Sequence, residues 1–337
     1  MAMIEHNRPT IGLKESRAAS KVLASGYVSQ GSEVEKFENE FCDFMQLPEN
    51  HAVALSSGTA ALFMSLFSLD LQKKVIAMPT YTCSALRNAS AMLQAKELLI
   101  DSEIGSPNIC RESLKLSGAD AAIVPHMFGI PSDIRKVKDV KIIEDCAQSL
   151  GASIDGEKVG LIGDVGIFSF YATKLMTSGG QGGMFVSRDQ GLVDKVRDFR
   201  DFDCRKDRKY RFNFQMTDLQ ASIGRVQLKK LPNFLERREE IFEQYKCANL
   251  PLIEGINGHP VYYRAVIAVE DPDKVINRLL DCNVRSIVPI RDWGLLDDGP
   301  EFKYARQLTK STISLPIYPS LTNRDVRVII NALEKSL

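Results

Sequence analysis

The chain has 337 residues, with 43 basic side chains against 43 acidic ones and 44% apolar content. That balance argues against a nucleic-acid or membrane-surface binder, and the length provides for one large unit and a smaller one. Seven cysteines without a Cys-x-x-Cys pair and four histidines without His-Glu-x-x-His spacing offer no metal-ligand set, and they read as free thiols of a reducing cytoplasm.

The opening residues, MAMIEHNRP, lack an apolar signal core, so a cytoplasmic location is expected. The longest apolar stretch, Ala52–Leu71, is interrupted by Ser56, Ser57, Gly58, Thr59 and Asp70, so no membrane span is expected. Glu15–Ser25 has a helical pattern stopped at Gly26. Ser32–Phe44 places Val34, Phe37, Phe41 and Phe44 at helical spacing, and the loop between them, Gly26–Gly31, is on its residues an ordinary linker.

Ala52–Leu55 is a short apolar strand. Ser56-Ser57-Gly58-Thr59 follows, then an apolar helix to about Leu69. A strand, a small-residue turn and a helix start aim backbone N–H groups and a positive dipole end at whatever lies above the turn. Phosphate is a natural occupant, but Ser and Thr are also ordinary N-caps. Lys74–Met78 is the next strand, closed by Pro79, and Thr80-Tyr81-Thr82-Cys83 opens a helix to about Leu93. Glu97–Asp101 and Ala121–Pro125 are further strands, with a helix over Arg111–Ser117 between them. Such alternation predicts a mostly parallel sheet covered on both faces. His126 ends the second of these strands, as a pocket residue and more readily a structural hydrogen-bonder than a catalyst.

Lys141–Glu144 is an apolar strand that ends in two carboxylates, Glu144 and Asp145. Val165–Phe170 is another strand; Lys174 follows it, and then the glycine-rich Gly179–Gly183. Ligands of open α/β sheets sit outside the C-terminal strand ends, where Asp145 lies. A lysine amine condenses with an aldehyde, and a carboxylate beside a pyridine nitrogen keeps that nitrogen protonated. Taken singly, the acid and the lysine are ordinary solvated groups; together they fit a lysine-bound pyridoxal 5'-phosphate.

As one string, the segment resembles the DegT/DnrJ/EryC1/StrS family, sugar aminotransferases of the aspartate aminotransferase fold. The matching residues are Glu144, Asp145, Ala147 and Gln148; then Ser169, Phe170 and Lys174; then Gly180, Gln181, Gly182 and Gly183. The resemblance runs from about Gly26 to about Leu333. It implies an α/β fold type I transferase with a smaller C-terminal α+β domain, divided near residue 245 into 1–245 and 246–337. It also implies that Lys174 and Asp145 are catalytic, that Gln148 bonds the ring 3-oxygen, and that Gly58, Thr59 and Ser169 hold the cofactor phosphate. Relatives carry an aromatic ring-stacking residue where this chain has Cys83, so either Cys83 or Tyr81 faces the ring, or Tyr81 is simply buried. The Gly26–Gly31 loop resembles one that borders the active site in relatives.

Further on, Gln190–Arg200 is helical. Asp201–Asn213 is a basic loop, read either as solvated surface or as a clamp for an anionic substrate such as a nucleotide diphosphate. Phe212–Leu228 resembles a family block whose asparagine, here Asn213, reaches the partner's cofactor phosphate across a homodimer; Gln215 replaces the usual arginine. Thr217–Ala221 starts a helix expected to break at Pro232 and to end near Tyr245. Pro260–Val269 and Val284–Val288 read as strands, Asp273–Asp281 and Thr322–Leu333 as helices. Arg291 stands where relatives carry a histidine near the substrate, and arginine favours an anionic partner. The resemblance implies amino transfer from an amino acid, glutamate in relatives, to a keto-sugar, nucleotide-linked in relatives, for polysaccharide building. Its rivals are a dehydratase, in which relatives replace the lysine by histidine, and a non-catalytic regulatory protein on the same scaffold.

Overall fold

Apolar strands that alternate between two faces need cover on both, and the fold supplies it. A computed structural model of the protein describes residues 2–255 and 258–336. Two helices lead in, α1 (Leu13–Ser25) and α2 (Ser32–Met45). Alternating elements follow: β1 (Ala52–Leu55), α3 (Gly58–Ser68), β2 (Val75–Pro79), α4 (Ala85–Met92), β3 (Lys96–Ile100), α5 (Arg111–Lys115) and β4 (Ala121–Pro125). Next come β5 (Lys141–Asp145), the small hairpin β6 (Ser153–Ile154) and β7 (Glu157–Lys158), β8 (Val165–Ser169), β9 (Gly183–Val186) and α6 (Gln190–Arg200). The chain closes with α7 (Asp218–Cys247), β10 (Ala265–Ala268), α8 (Pro272–Asp281), α9 (Lys303–Ser311), β11 (Thr312–Leu315) and α10 (Asn323–Glu334).

The main sheet has seven strands in the order β1-β9-β8-β5-β4-β2-β3. The pairs from β8 to β3 are parallel, and β9 runs antiparallel to both its neighbours. Period-2 alternation divides each strand between two cores. In β1, Ala52 and Ala54 face the core that includes Phe37 and Phe41 of α2, while Val53 and Leu55 face the core of α3 and α6.

A third core gathers Ile241, Phe242 and Tyr245 of α7 with the β10–β11 pair, α8 and α10, and Ile4 belongs to it. Ile4 pairs with Val284, so the N-terminal segment reaches the C-terminal elements. The expected strand over Val284–Val288 reduces to single bridges, Ile4 to Val284 and Ile287 to Ser314. Pro260–Val269 contracts to β10, and α9 and β11 are additions to the elements read from sequence.

Helix α7 is continuous over 30 residues and does not break at Pro232. An interior proline costs about 3 kcal/mol of helix stability. Leu228, Leu231 and Phe234 are buried on either side of it, so tertiary packing outweighs the local penalty. Arg238, on the same helix, is buried, and its Nη1 donates to the carbonyl oxygens of Tyr262, Tyr263 and Ile317 at 3.3, 3.3 and 3.0 Å. Burial and the nearby Arg264 push its pKa down to about 10.

Arg238→Met strips the donor from these carbonyls. Urea denaturation is expected to show a loss of about 2–3 kcal/mol; a loss under about 0.5 kcal/mol would mean that water satisfies them equally well.

Candidate active site

Adjacent side chains on a strand point to opposite faces, and this separates the two carboxylates at the end of β5. Glu144 turns into the protein and is fully buried. Its Oε1 accepts the N–H groups of Ile162 and Gly163 at 2.8 and 2.7 Å, and its Oε2 accepts His126 Nε2–H at 3.0 Å. His126 Nδ1 accepts Ser132 N–H at 2.9 Å, which places the proton on Nε2. His126 is thus a hydrogen-bonding strut behind the sheet and does not line the cleft described next. His126, Glu144 and Cys146 are within metal-ligand range of one another, but the imidazole nitrogens and both Glu144 oxygens already have protein partners.

Asp145 turns the other way, into a cleft of about 200 Å³ that it lines with Gly58, Thr59, Cys83, Ser169 and Lys174. Its Oδ1 accepts the Ala147 N–H at 3.0 Å. Burial raises its pKa above the ordinary carboxylate value, and the Ala147 N–H and Lys174 offset this only in part. The Cys83 thiol is likewise pushed up, by desolvation in the cleft and by the Asp145 charge, so it is no ready thiolate.

The floor of the cleft is the start of α3. Ser57 caps it, its Oγ accepting Ala60 N–H at 3.1 Å. A Cβ on Gly58 would come within 2.8 Å of Ser169 Cβ, and one on Gly183 within 2.3 Å of the Ser57 carbonyl oxygen. Glycines at these two points let the helix start press directly against the ends of β8 and β9. Lys174 follows β8 in a turn closed by its own N–H to Tyr171 O at 3.0 Å and by Ala172 N–H to Gly180 O at 3.1 Å. Gly180 sits at φ 138°, which only glycine adopts readily. Among the described residues Lys174 Nζ has no ion pair; it lies 5.4 Å from the Tyr263 ring centroid.

Other residues singled out from the sequence lie elsewhere. Tyr81 is buried in a separate core beside Phe128, ring centroids 6.2 Å apart. Gln148 Oε1 accepts Phe128 N–H at 2.8 Å. Asn213 is exposed, its Oδ1 accepting Gln215 N–H at 3.1 Å. In the basic loop, Arg211 pairs with Asp198 and Asp207 at 3.0 and 2.7 Å, and Arg205 also pairs with Asp198. Internal partners thus take up two of the guanidinium groups offered to an anion. Arg291 pairs with Asp273 at 2.8 Å outside the cleft. Tyr263 was not singled out, since it lies far along the chain in a segment read only as strand.

Comparison with known proteins places this cleft in context. Residues 9–334 match the DegT/DnrJ/EryC1/StrS aminotransferase family. The chain belongs to that family. SpsC, a spore coat polysaccharide biosynthesis protein of Bacillus subtilis (strain 168), is 30% identical, over 98% of this chain and 96% of its own. GDP-perosamine synthase of Escherichia coli O157:H7 is 28% identical over 99% of each. The crystal structure of the aminotransferase TlmJ from Streptoalloteichus hindustanus superposes with a TM-score of 0.92 at 26% identity, over 99% of each chain. The family resemblance and the α/β aminotransferase fold expected from the motifs are therefore borne out.

The raised Asp145 pKa has a stability consequence. A carboxyl whose folded pKa exceeds its unfolded value destabilises the fold once pH rises above the unfolded value, near 4. In cofactor-free protein, Asp145→Asn is expected to raise the melting temperature at pH 7, with the gain shrinking as pH falls toward about 4. A lowered melting temperature at pH 7 would show that the carboxylate is stabilised where it stands.

Proposed function

We propose that the chain is a pyridoxal 5'-phosphate-dependent aminotransferase that moves an amino group from an amino acid, glutamate, to a nucleotide-linked keto-sugar. The observation that carries this is the convergence of Lys174 and Asp145 on one cleft whose floor is a helix N-terminus. The residues fit the cofactor chemically. Asp145 offers a buried carboxylate with a single described N–H partner, Lys174 an amine without an ion pair among the described residues, and Gly58 the backbone of a helix start that lines the cleft. When bound, the cofactor supplies an electron sink for the carbanion formed at the amino acid's Cα.

Lys174 would hold the cofactor and, as a free amine, would carry the proton to and from the amino acid's Cα. Asp145 holds the proton on the ring nitrogen. Gly58, Thr59 and Ser169 take the phosphate at the positive end of α3. Cys83, which lines the cleft as Tyr81 does not, would be the one of the two to meet the ring. Gln148 needs a side-chain rotation away from Phe128 N–H to reach the ring oxygen.

The sugar acceptor is inferred from relatives named for perosamine synthesis and for dTDP-sugar amination; SpsC supports a place in polysaccharide building. A homodimer completes the site. Asn213 does not line its own chain's cleft, and Tyr27, Tyr210 and Phe212 are exposed aromatic side chains available for an interface. The division into 1–245 and 246–337 accompanies this reading, with α7 shared between the parts.

Two experiments test it. Borohydride reduction of the protein loaded with pyridoxal 5'-phosphate is expected to fix the cofactor on the peptide containing Lys174; label on another lysine would overturn the assignment. Mixing Lys174→Ala and Asn213→Ala chains, each of low activity alone, is expected to restore up to about half of wild-type activity per heterodimer, because one site then carries no defect. No rescue from heterodimers that demonstrably form would refute the shared site.

A further inference from the structure

A small cavity adjoins the cleft at Lys174. Its volume is about 10 Å³, room for one water-sized particle. Arg8, Thr10, Gln227, Phe234 and Arg238 line it together with Lys174. Lys174 also lines the cleft, so one side chain borders both spaces.

Two buried polar atoms of the lining residues are unused. Arg238 is 1% exposed, and its three carbonyl partners are all reached through Nη1. Its Nε is buried without a hydrogen-bond partner among the described residues, and so is Thr10 Oγ1. Gln227 is already engaged: its Nε2 donates to Thr10 O at 2.9 Å and to Glu15 Oε1 at 2.7 Å. Arginine Nε carries one N–H and accepts nothing, so an occupant that satisfies it must be an acceptor.

Charge decides which acceptor. Arg8, Lys174 and Arg238 line the cavity, no carboxylate does, and none of the three has an ion pair among the described residues. Glu15, bonded to Gln227, is taken by Lys230 at 2.5 Å. Arg264 adds a further cation: its guanidinium carbon lies 5.4 Å from the Tyr263 ring centroid, which is 5.4 Å from Lys174 Nζ. A water would satisfy the idle donors and leave these charges uncompensated in a desolvated place. A phosphate or a carboxylate is too large for a space of one particle.

We propose that this cavity is a halide site, in which one chloride ion takes the Arg238 Nε and Thr10 Oγ1 donors beside Lys174. The ion balances the cations that the junction of α7 with the N-terminal segment brings together. It also acts on the lysine. An anion at this wall favours the ammonium form, which is not the nucleophile, so chloride slows capture of an aldehyde from the cleft side. Asp145, the carboxylate lining the cleft, acts on the same amine in both salts compared below. Only the effect on capture rests on the lysine-bound cofactor reading; the ion site stands without it.

Melting of the full-length protein in sodium chloride and in sodium gluconate at equal ionic strength tests the site. Gluconate screens charge equally and cannot enter. The melting temperature is expected to be higher in chloride, with a gain that follows one-site binding. Arg238→Met should abolish the gain, and Thr10→Val should weaken chloride about tenfold; the second variant serves if the first does not fold. Crystals soaked in bromide should show one anomalous peak beside Arg238 Nε. In cofactor-free protein, capture of pyridoxal 5'-phosphate at Lys174 should be slower in chloride than in gluconate, and Thr10→Val should need about tenfold more chloride for the same slowing. Equal melting in the two salts, a gain kept in full by Thr10→Val, or no bromide in the cavity would overturn the site and leave water as its occupant. Equal capture rates would overturn its action on Lys174. Failure of wild-type Lys174 to capture the cofactor in either salt would instead sink the aminotransferase reading and leave the melting and bromide results to stand.

Discussion

The cleft depends on how Glu144 is satisfied. A buried carboxylate without donors is costly, and here the cost is met by Ile162 N–H, Gly163 N–H and His126 Nε2–H. Those donors belong to the turn before β8 and to the end of β4, so Glu144 ties the loops around β5 together. Because neighbours on a strand face opposite ways, fixing Glu144 inward commits Asp145 outward. A one-residue slip of β5 would exchange the two and leave the shorter Asp145 facing the donors that Glu144 reaches. The position of Asp145 is thus set by the hydrogen bonds of the residue before it.

The second constraint is the junction between the core on the α2 face of the sheet and the C-terminal core. Helix α7 spans both, and Arg238 fastens it to the Tyr262–Tyr263 and Ile317 backbone. From the other side, Ile4 enters the C-terminal core and His6 bonds Ser314 of β11 at 2.9 Å, while Asn7 reaches the Lys174 turn. Lys174 therefore lies where three separate stretches of chain meet. Hinge motion of the C-terminal elements would have to carry Tyr263 with it, since its own carbonyl is among those that Arg238 holds. Such a motion changes the surroundings of the lysine rather than its attachment to the sheet.

Much of this was legible in the sequence wherever the signal was local. Ala52–Leu55, Ala121–Pro125 and Gln190–Arg200 have in the structure the limits their composition predicts, because an apolar run bounded by turn residues carries its own ends. Residues 183–186 form a four-residue strand masked by the glycines before it, and β11 follows α9 without a turn residue to mark the change. Pro232 misled for the opposite reason: the local penalty is real, but packing on both sides overrides it. Lys174, Asp145, Gly58 and Ser169 reach one cleft as their motifs require. Gln148 and Tyr81, just as prominent in the sequence, are drawn away by Phe128, whose N–H and ring engage them. Tyr263 left no sequence signal at all, since its significance comes only from the cations that folding brings around it.

Burial has opposite outcomes on the two sides of Lys174, and the difference locates the chemistry. Asp145, with one N–H and one nearby cation, is held above its ordinary pKa by desolvation. Tyr263, equally shielded, is carried below its own by surplus positive charge. Structural ion pairs relieve such imbalances, as Arg211 does with Asp198 and Asp207. Here the imbalance is kept: an acid short of a cation and cations short of an anion flank the same amine. A fold selected only for stability would have paired or removed them. That they persist around Lys174, within a cleft whose floor is a helix N-terminus, is the arrangement expected of a site that receives its compensating charges with its ligand.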